Sequence, residues 1–139
     1  VAETFGSQCM VLQIDAKQAR SVTLEALRYG GREHSGLDVI EWAQRGEKLG
    51  AGEILLTSVD REGTRRGFDI ALIRAVSNVV GIPVIASGGM GTTDHLLQAV
   101  NEGCADAVAM AYVLHYNKMS LQDIRRQAEA HDLPVRRIA

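Results

Sequence analysis

The most constraining stretch of this sequence is residues 82–89, an apolar run that opens at Pro83 and ends in Gly88 and Gly89. A short run that is apolar at consecutive positions and bounded by Pro and Gly predicts a strand buried on both faces. Glycines directly after such a strand let backbone N–H groups approach an anion closely. Thr92 then begins a helix, whose first N–H groups also favour negative charge. We interpret this stretch as a strand, glycine loop and helix that bind phosphate.

Three more units of the same kind surround this stretch. Strands are predicted over residues 9–14, 53–59 and 107–111, and helices are predicted to begin at Asp38, at Asp69 and at Ser120. A small hairpin from Val22, turning at residues 29–31, is expected as an excursion on a loop. Strands that alternate with helices predict parallel βα units. The fold class is therefore α/β, a (βα)4 half of a TIM-type (βα)8 barrel, with residues 1–139 as a single half-barrel domain.

Composition excludes several classes of protein. Lys+Arg 15 against Asp+Glu 17 gives a net charge of −2, which offers no electrostatic case for binding nucleic acid or a membrane. The sequence has no apolar run long enough to span a bilayer, and it has no signal-peptide pattern. We therefore expect a cytoplasmic protein. Cys9 and Cys104 match no metal or redox spacing, and we expect both to be reduced and buried. The start at Val1 rather than Met indicates a fragment, a processed chain or an engineered piece.

Candidate catalytic groups follow the predicted strands. Right-handed crossovers bring the carboxyl ends of parallel strands to one rim, where barrel enzymes place their chemistry. Asp15 ends the first strand in this interpretation and is the candidate general acid or base. Residues 60–64 supply carboxylates, a glycine and a hydroxyl beside Gly88 and Gly89, which predicts a phosphate site between neighbouring loops. The alternatives are that Asp15 only caps the next loop and that residues 60–64 form a solvated turn.

Other polar residues receive structural interpretations. The four histidines, His34, His95, His115 and His131, show no ligand spacing and are interpreted as surface or helix-packing residues, so we expect no metal and no cofactor. Arg65 and Arg66 are expected to be solvated, with assistance to an anionic substrate as the alternative.

Four blocks of the sequence form an ordered series: residues 5–8 (FGSQ), 14–17 (IDAK), 50–64 (GAGEILLTSVDREGT) and 85–89 (IASGG). The series resembles the C-terminal half of the cyclase subunits of imidazole glycerol phosphate synthase, from histidine biosynthesis. Their fold is a (βα)8 barrel of two similar halves, and this chain is similar to strands five to eight. The resemblance covers essentially the whole chain.

The resemblance implies a lyase or cyclase reaction. Ammonia from a glutaminase subunit attacks a bis-phosphorylated phosphoribulosyl-formimino-carboxamide ribonucleotide, and the products are imidazole glycerol phosphate and an aminoimidazole carboxamide ribonucleotide. The family uses an aspartate from each half as general acid and base, and Asp15 matches the one from the C-terminal half. The second aspartate belongs to the N-terminal half, so the isolated chain is expected to be inactive or very weak.

Further roles are implied by the same matching. Substrate phosphate binding is implied for a set of loop residues: Gly63, Thr64, Ser87, Gly88, Gly89, Ala111 and Tyr112. Thr57, Asp60 and Glu62 are candidate substrate contacts, and Glu53 matches a charged residue where ammonia enters at the bottom of the barrel. Two positions depart from the family pattern. Tyr112 stands where a small residue, often Ser, is expected, and Glu62 stands where Asp is more usual.

Two other functions remain open. One is half of the related phosphoribosyl-formimino isomerase, although residues 50–58 fit the cyclase better. The other is a half-barrel assembly module without activity, either a homodimer or an engineered barrel fragment. Four parallel strands would leave two open edges, which favours pairing with an N-terminal half-barrel or with a second copy of the chain.

Overall fold

The computed structural model describes residues 1–18, 24–28 and 31–135. The helices are α1 (Ala2–Phe5), α2 (Val39–Lys48), α3 (Ile70–Ser77), α4 (Thr93–Asn101), α5 (Tyr112–His115) and α6 (Leu121–Ala130), with a 3₁₀ turn at Ser7–Cys9. The strands are β1 (Val11–Gln18), β2 (Leu24–Arg28), β3 (Glu33–Asp38), β4 (Glu53–Ser58), β5 (Val84–Ser87) and β6 (Ala107–Ala109).

The strands form one sheet of mostly parallel character, in the order β3-β2-β1-β4-β5-β6. The pairs β1·β4, β4·β5 and β5·β6 are parallel, and helices α2, α3 and α4 connect them. Within the described residues the sheet does not close on itself. The α/β fold class is thus confirmed as a partial barrel of the TIM type.

The first strand was predicted to end at Asp15, and that prediction is wrong. β1 continues to Gln18 because β2 pairs with it antiparallel, with Asp15 opposite Leu27 and Gln18 opposite Leu24. The hairpin of β2 and β3 therefore extends the sheet and is not an excursion on a loop. It also covers half of the β1 edge that was expected to be open. The predicted start of the hairpin at Val22 and its predicted turn residues Tyr29 and Gly30 lie outside the described residues.

The predicted starts of the helices are confirmed by their capping hydrogen bonds. The Asp38 carboxylate accepts from the N–H groups of Ile40 and Glu41, and Asp69 accepts from Leu72 N–H. The Ser120 hydroxyl accepts from Asp123 N–H. Each cap satisfies donors that the first helical turn leaves without a partner in the helix.

The two faces of the sheet differ in burial. Ile14, Leu56 and Ala86 are fully buried and aligned across β1, β4 and β5, on the face that packs into the hydrophobic core. The alternate residues on the opposite face, such as Leu55 and Ile85, are only half-buried. Side chains alternate between faces along a strand, so this opposite face corresponds to the interior of a complete barrel.

The expectation that both cysteines are buried is wrong. Cys9 and Cys104 are free thiols, and both are exposed. Cys9 lies in the 3₁₀ turn before β1, and Cys104 lies with a φ of 59° in the turn before β6, so neither belongs to a strand or helix that packs on the core. No helix among the described residues is long and apolar enough to span a membrane.

The β2–β3 hairpin is held by the side chain of Glu25. Its carboxylate accepts from Gly36 N–H at 2.7 Å and lies 2.7 Å from His34 Nδ1. The Gly36 N–H, followed by the His34 side chain, favours the charged carboxylate and lowers the pKa of Glu25 below its ordinary value of 4.5.

The substitution Glu25→Gln is expected to remove a pH-dependent contribution to the free energy of unfolding. A depressed native pKa stabilises the fold above the unfolded-state value of about 4.5, and this contribution disappears as pH falls through the native pKa. The difference in unfolding free energy between the parent chain and Glu25→Gln should therefore be constant near neutral pH and shrink toward zero in acid. Urea unfolding at a series of pH values measures it. Glu33→Gln, on the same hairpin, is the matched control, and a pH-independent difference for Glu25→Gln would contradict the prediction.

Candidate functional site

Parallel pairing places Asp15, Thr57, Ser87 and Ala109 in one row across β1, β4, β5 and β6. These residues lie on the half-buried face of the sheet, near the carboxyl ends of their strands. Neighbouring strands are about 4.8 Å apart, so Asp15 and Ser87 are separated by about 10 Å.

Asp15 is half-buried and held by a neighbour on its own strand. Gln13 Nε2 donates to Asp15 Oδ1 at 3.0 Å, while Oδ2 has no hydrogen-bond partner among the described residues. Gln13 therefore orients the carboxylate and leaves one oxygen available for proton transfer. The side chain of Gln13 lies on the same face as Asp15 because the two residues are two positions apart on β1.

A cavity of about 170 Å³ lies at the end of the row formed by Ser87 and Ala109. It is formed by the loops that follow β4, β5 and β6, and its lining residues are Glu62, Gly63, Arg65, Ser87, Gly88, Gly89, Met90, Ala109, Met110, Ala111 and Tyr112. One water needs about 10–15 Å³ on such a measure, so the cavity has room for a phosphate group.

The cavity lining carries free backbone donors. In the part of the chain that the structure describes, the N–H groups of Gly63, Gly88 and Gly89 have no hydrogen-bond acceptor. All three residues have positive φ, at 70°, 96° and 100°. Successive backbone N–H groups in turns form concave sites for anions, and Gly88 and Gly89 are successive residues of one turn. The cavity can therefore accept an anionic oxygen without any charged side chain.

The loops after β4 and β5 are packed tightly against each other. Gly67 N–H donates to the Gly89 carbonyl at 2.9 Å, and a Cβ atom on Gly89 would lie 2.3 Å from the Gly67 carbonyl oxygen. Gly89 therefore needs both its positive φ and the absence of a side chain. This contact joins the two halves of the cavity wall.

Most of the residues predicted for the phosphate site lie together at the cavity. Gly63, Ser87, Gly88, Gly89, Ala111 and Tyr112 line it. Thr64 does not, because its hydroxyl donates to the Arg61 carbonyl at 2.8 Å and accepts from Arg66 N–H, which shapes the loop.

The three candidate substrate contacts, Thr57, Asp60 and Glu62, lie in different parts of the site. Glu62 lines the cavity, and Thr57 lies in the row beside Asp15. The carboxylate of Asp60 accepts from Gln18 N–H at 2.8 Å and so ties the loop after β4 to the end of β1. Glu53 opens β4 at the opposite end of the sheet, four residues and about 13 Å from Thr57.

Sequence reasoning missed Gln13, and it assigned His95 to the surface or to helix packing. His95 Nδ1 accepts from the N–H groups of Gly91 and Thr92, so its side chain caps the turn that leads into α4. The spacing of Gln13 and Asp15 on one strand face was available from the sequence, but the capping role of His95 depends on the fold of the loop. Among the described residues, no cluster of three or more His, Cys, Asp or Glu side chains could hold a metal ion.

Parallel strands, connecting helices and a loop cavity at the carboxyl ends define this chain as part of a TIM-type barrel with a barrel-enzyme arrangement of its site. The family model of the histidine biosynthesis proteins matches residues 1–120, so the chain belongs to that family. The family contains isomerases and cyclases of histidine biosynthesis.

Adding a methyl group at Gly89 should disrupt the cavity far more than adding one at Gly63. Gly63→Ala meets no atom within 4 Å and is expected to cost only the backbone strain of a positive φ, about 1–2 kcal/mol of unfolding free energy. Gly89→Ala adds a collision with the Gly67 carbonyl and should cost clearly more. Urea unfolding measures both values, and equal losses would show that the loop contact is not tight.

Proposed function

We propose that this chain is the C-terminal half of an imidazole glycerol phosphate synthase cyclase. In this proposal Asp15 serves as one of the two acid and base groups, and the cavity at Ser87 binds one phosphate of the ribonucleotide substrate. The observation that carries the proposal is the row of Asp15, Thr57 and Ser87 on one sheet face, with an anion cavity at its end. The chain's membership of the histidine biosynthesis family supports it.

The chemistry of the row suits ring closure on a phosphorylated chain. Free N–H groups at Gly63, Gly88 and Gly89 would hold the phosphate, which fixes one end of the substrate. Asp15 Oδ2, left open by the Gln13 hydrogen bond, would move a proton near the middle of the substrate. The second aspartate of the cyclase reaction would come from the N-terminal half of the barrel. Ammonia would enter from the opposite end of the sheet, where Glu53 lies.

The choice of cyclase over the related isomerase depends on sequence. Residues 50–58 (GAGEILLTS) resemble the cyclase more closely than the isomerase. The two enzymes share the barrel and its phosphate loops, so the row and the cavity agree with either one. Turnover with each substrate distinguishes them.

The chain mixed with an N-terminal cyclase half-barrel should use free ammonia to turn over the cyclase substrate, and the chain alone should show little or no turnover. Asp15→Asn should lower the turnover of the mixture by about 10²–10⁴-fold, because it removes a general acid and base. Asp132→Asn, an equivalent change in the exposed turn after α6, is the matched control.

Product formation from the two substrates is followed separately by absorbance or chromatography. Turnover of the isomerase substrate by the mixture would favour the isomerase. If the mixture containing Asp15→Asn kept full cyclase turnover, Asp15 would not be a general acid or base of the reaction.

We also propose that the half-buried face of the sheet is covered by a second barrel half, either an N-terminal half or another copy of this chain. Val11 is 48% exposed at the start of β1, and Leu55 and Ile85 lie half-buried on the same face. β6 has a free edge among the described strands, whereas the β1 edge is open only over its first half, at Val11–Ile14. Pairing with another chain would bury this apolar area and satisfy the β6 backbone groups.

The purified chain at micromolar concentration should have a native mass of about twice 15.0 kDa. Sedimentation equilibrium or light scattering measures this mass. The same measurement is repeated after an equimolar amount of an N-terminal half-barrel is added, which should convert the homodimer to a heterodimer. A stable monomer of 15.0 kDa would contradict self-association.

A further inference from the structure

Arg65 lies on the cavity wall in a backbone conformation that its neighbours hold in place. Its φ is 62°, in the left-handed region that few residues other than glycine adopt. A Cβ atom on Gly91 would lie 2.5 Å from the Arg65 carbonyl oxygen and 3.1 Å from the Arg65 Cβ, so the loop after β5 packs directly on this residue. The direction in which the Arg65 side chain leaves the loop is therefore set by the fold.

The guanidinium group of Arg65 is anchored on Tyr112, across the cavity lining. Arg65 Nη1 donates to the Tyr112 hydroxyl at 3.2 Å, and Cζ lies 5.3 Å from the centre of the tyrosine ring. Both contacts are attractive, the second through the negative face of the aromatic ring. The Tyr112 ring packs in turn on Tyr116, with ring centres 4.7 Å apart. A long, exposed arginine is thereby held beside the cavity.

Most N–H donors of the anchored guanidinium have no acceptor among the described residues. It carries five N–H donors, and among the described residues only one is used, on an uncharged oxygen. No carboxylate of the described residues forms an ion pair with Arg65. Glu62 is the other charged residue of the lining, and its carboxylate opposes an anion, so the positive charge of Arg65 offsets it.

We propose that Arg65 is a phosphate-binding residue of this cavity and that Tyr112 is the residue that positions it. Arginine binds phosphate oxygens through paired, charge-assisted hydrogen bonds, which adds direction to the backbone donors of Gly63, Gly88 and Gly89. The ligand class is a phosphate monoester. This inference rests on the proposed function, since the phosphate would belong to the substrate. It gives a role to Tyr112, which stands where the related cyclases are expected to have a small residue.

Titration of the full chain with inorganic phosphate, at low ionic strength and by calorimetry, tests the assignment. Arg65→Gln should weaken phosphate binding about tenfold, which corresponds to about 1.4 kcal/mol. Arg66→Gln is the matched control, since it removes the same charge one residue away and does not line the cavity, and it should change the affinity less than twofold. Arg65→Lys should give an intermediate affinity because it keeps the charge but loses the paired donors. Circular dichroism verifies that each variant folds.

A double-mutant cycle separates positioning by Tyr112 from a structural effect. Tyr112→Phe should weaken phosphate binding about threefold in the parent chain and leave it unchanged in Arg65→Gln, since its effect passes through Arg65. Equal losses in both backgrounds would overturn the positioning role.

Equal effects of Arg65→Gln and Arg66→Gln, or no effect of either, would overturn the assignment of Arg65. Absence of saturable phosphate binding in the parent chain would overturn it together with the phosphate site of the proposed function. Arg65-dependent phosphate binding without cyclase turnover would support the assignment and contradict only the proposed function.

Discussion

The register of the parallel strand pairs is the constraint on which the rest of this structure depends. Because Asp15, Thr57 and Ser87 are register partners in the parallel ladder, their side chains leave the same face at the same height. A shift of one residue in either pair would turn one of these side chains into the core. The fully buried neighbours Ile14, Leu56 and Ala86 oppose such a shift, so the packing of the core holds the candidate site in register.

The loops that follow the strands depend on this register as well. The loop after β4 and the loop after β5 meet through backbone atoms at Gly67 and Gly89, which is possible only because β4 and β5 end side by side. In these loops the N–H groups of the buried Gly88 and Gly89 have no acceptor among the described residues. Donors left free in a packed loop are costly unless water or a ligand satisfies them, which is the physical reason to connect this geometry with anion binding.

Charge is distributed unevenly along the row. At one end Asp15 is oriented by Gln13, and at the other end Arg65 is anchored on Tyr112. A ligand that extends along the row would meet the Asp15 carboxylate at one position and the Arg65 guanidinium at another. This separation agrees with the proposed function, in which the phosphate of the substrate and its reacting atoms lie apart.

The sequence by itself determined the alternation of strands and helices, the helix starts at Asp38, Asp69 and Ser120, and the glycine loop after β5. These features follow from local apolar patterns, capping side chains and backbone freedom, all of which act within a few residues. The tertiary structure alone decided that β1 extends past Asp15, since that extension is caused by pairing with β2. It also decided that Thr64 and Asp60 shape loops and that Arg65 reaches Tyr112, because these contacts join residues that are brought together only by packing of the loops.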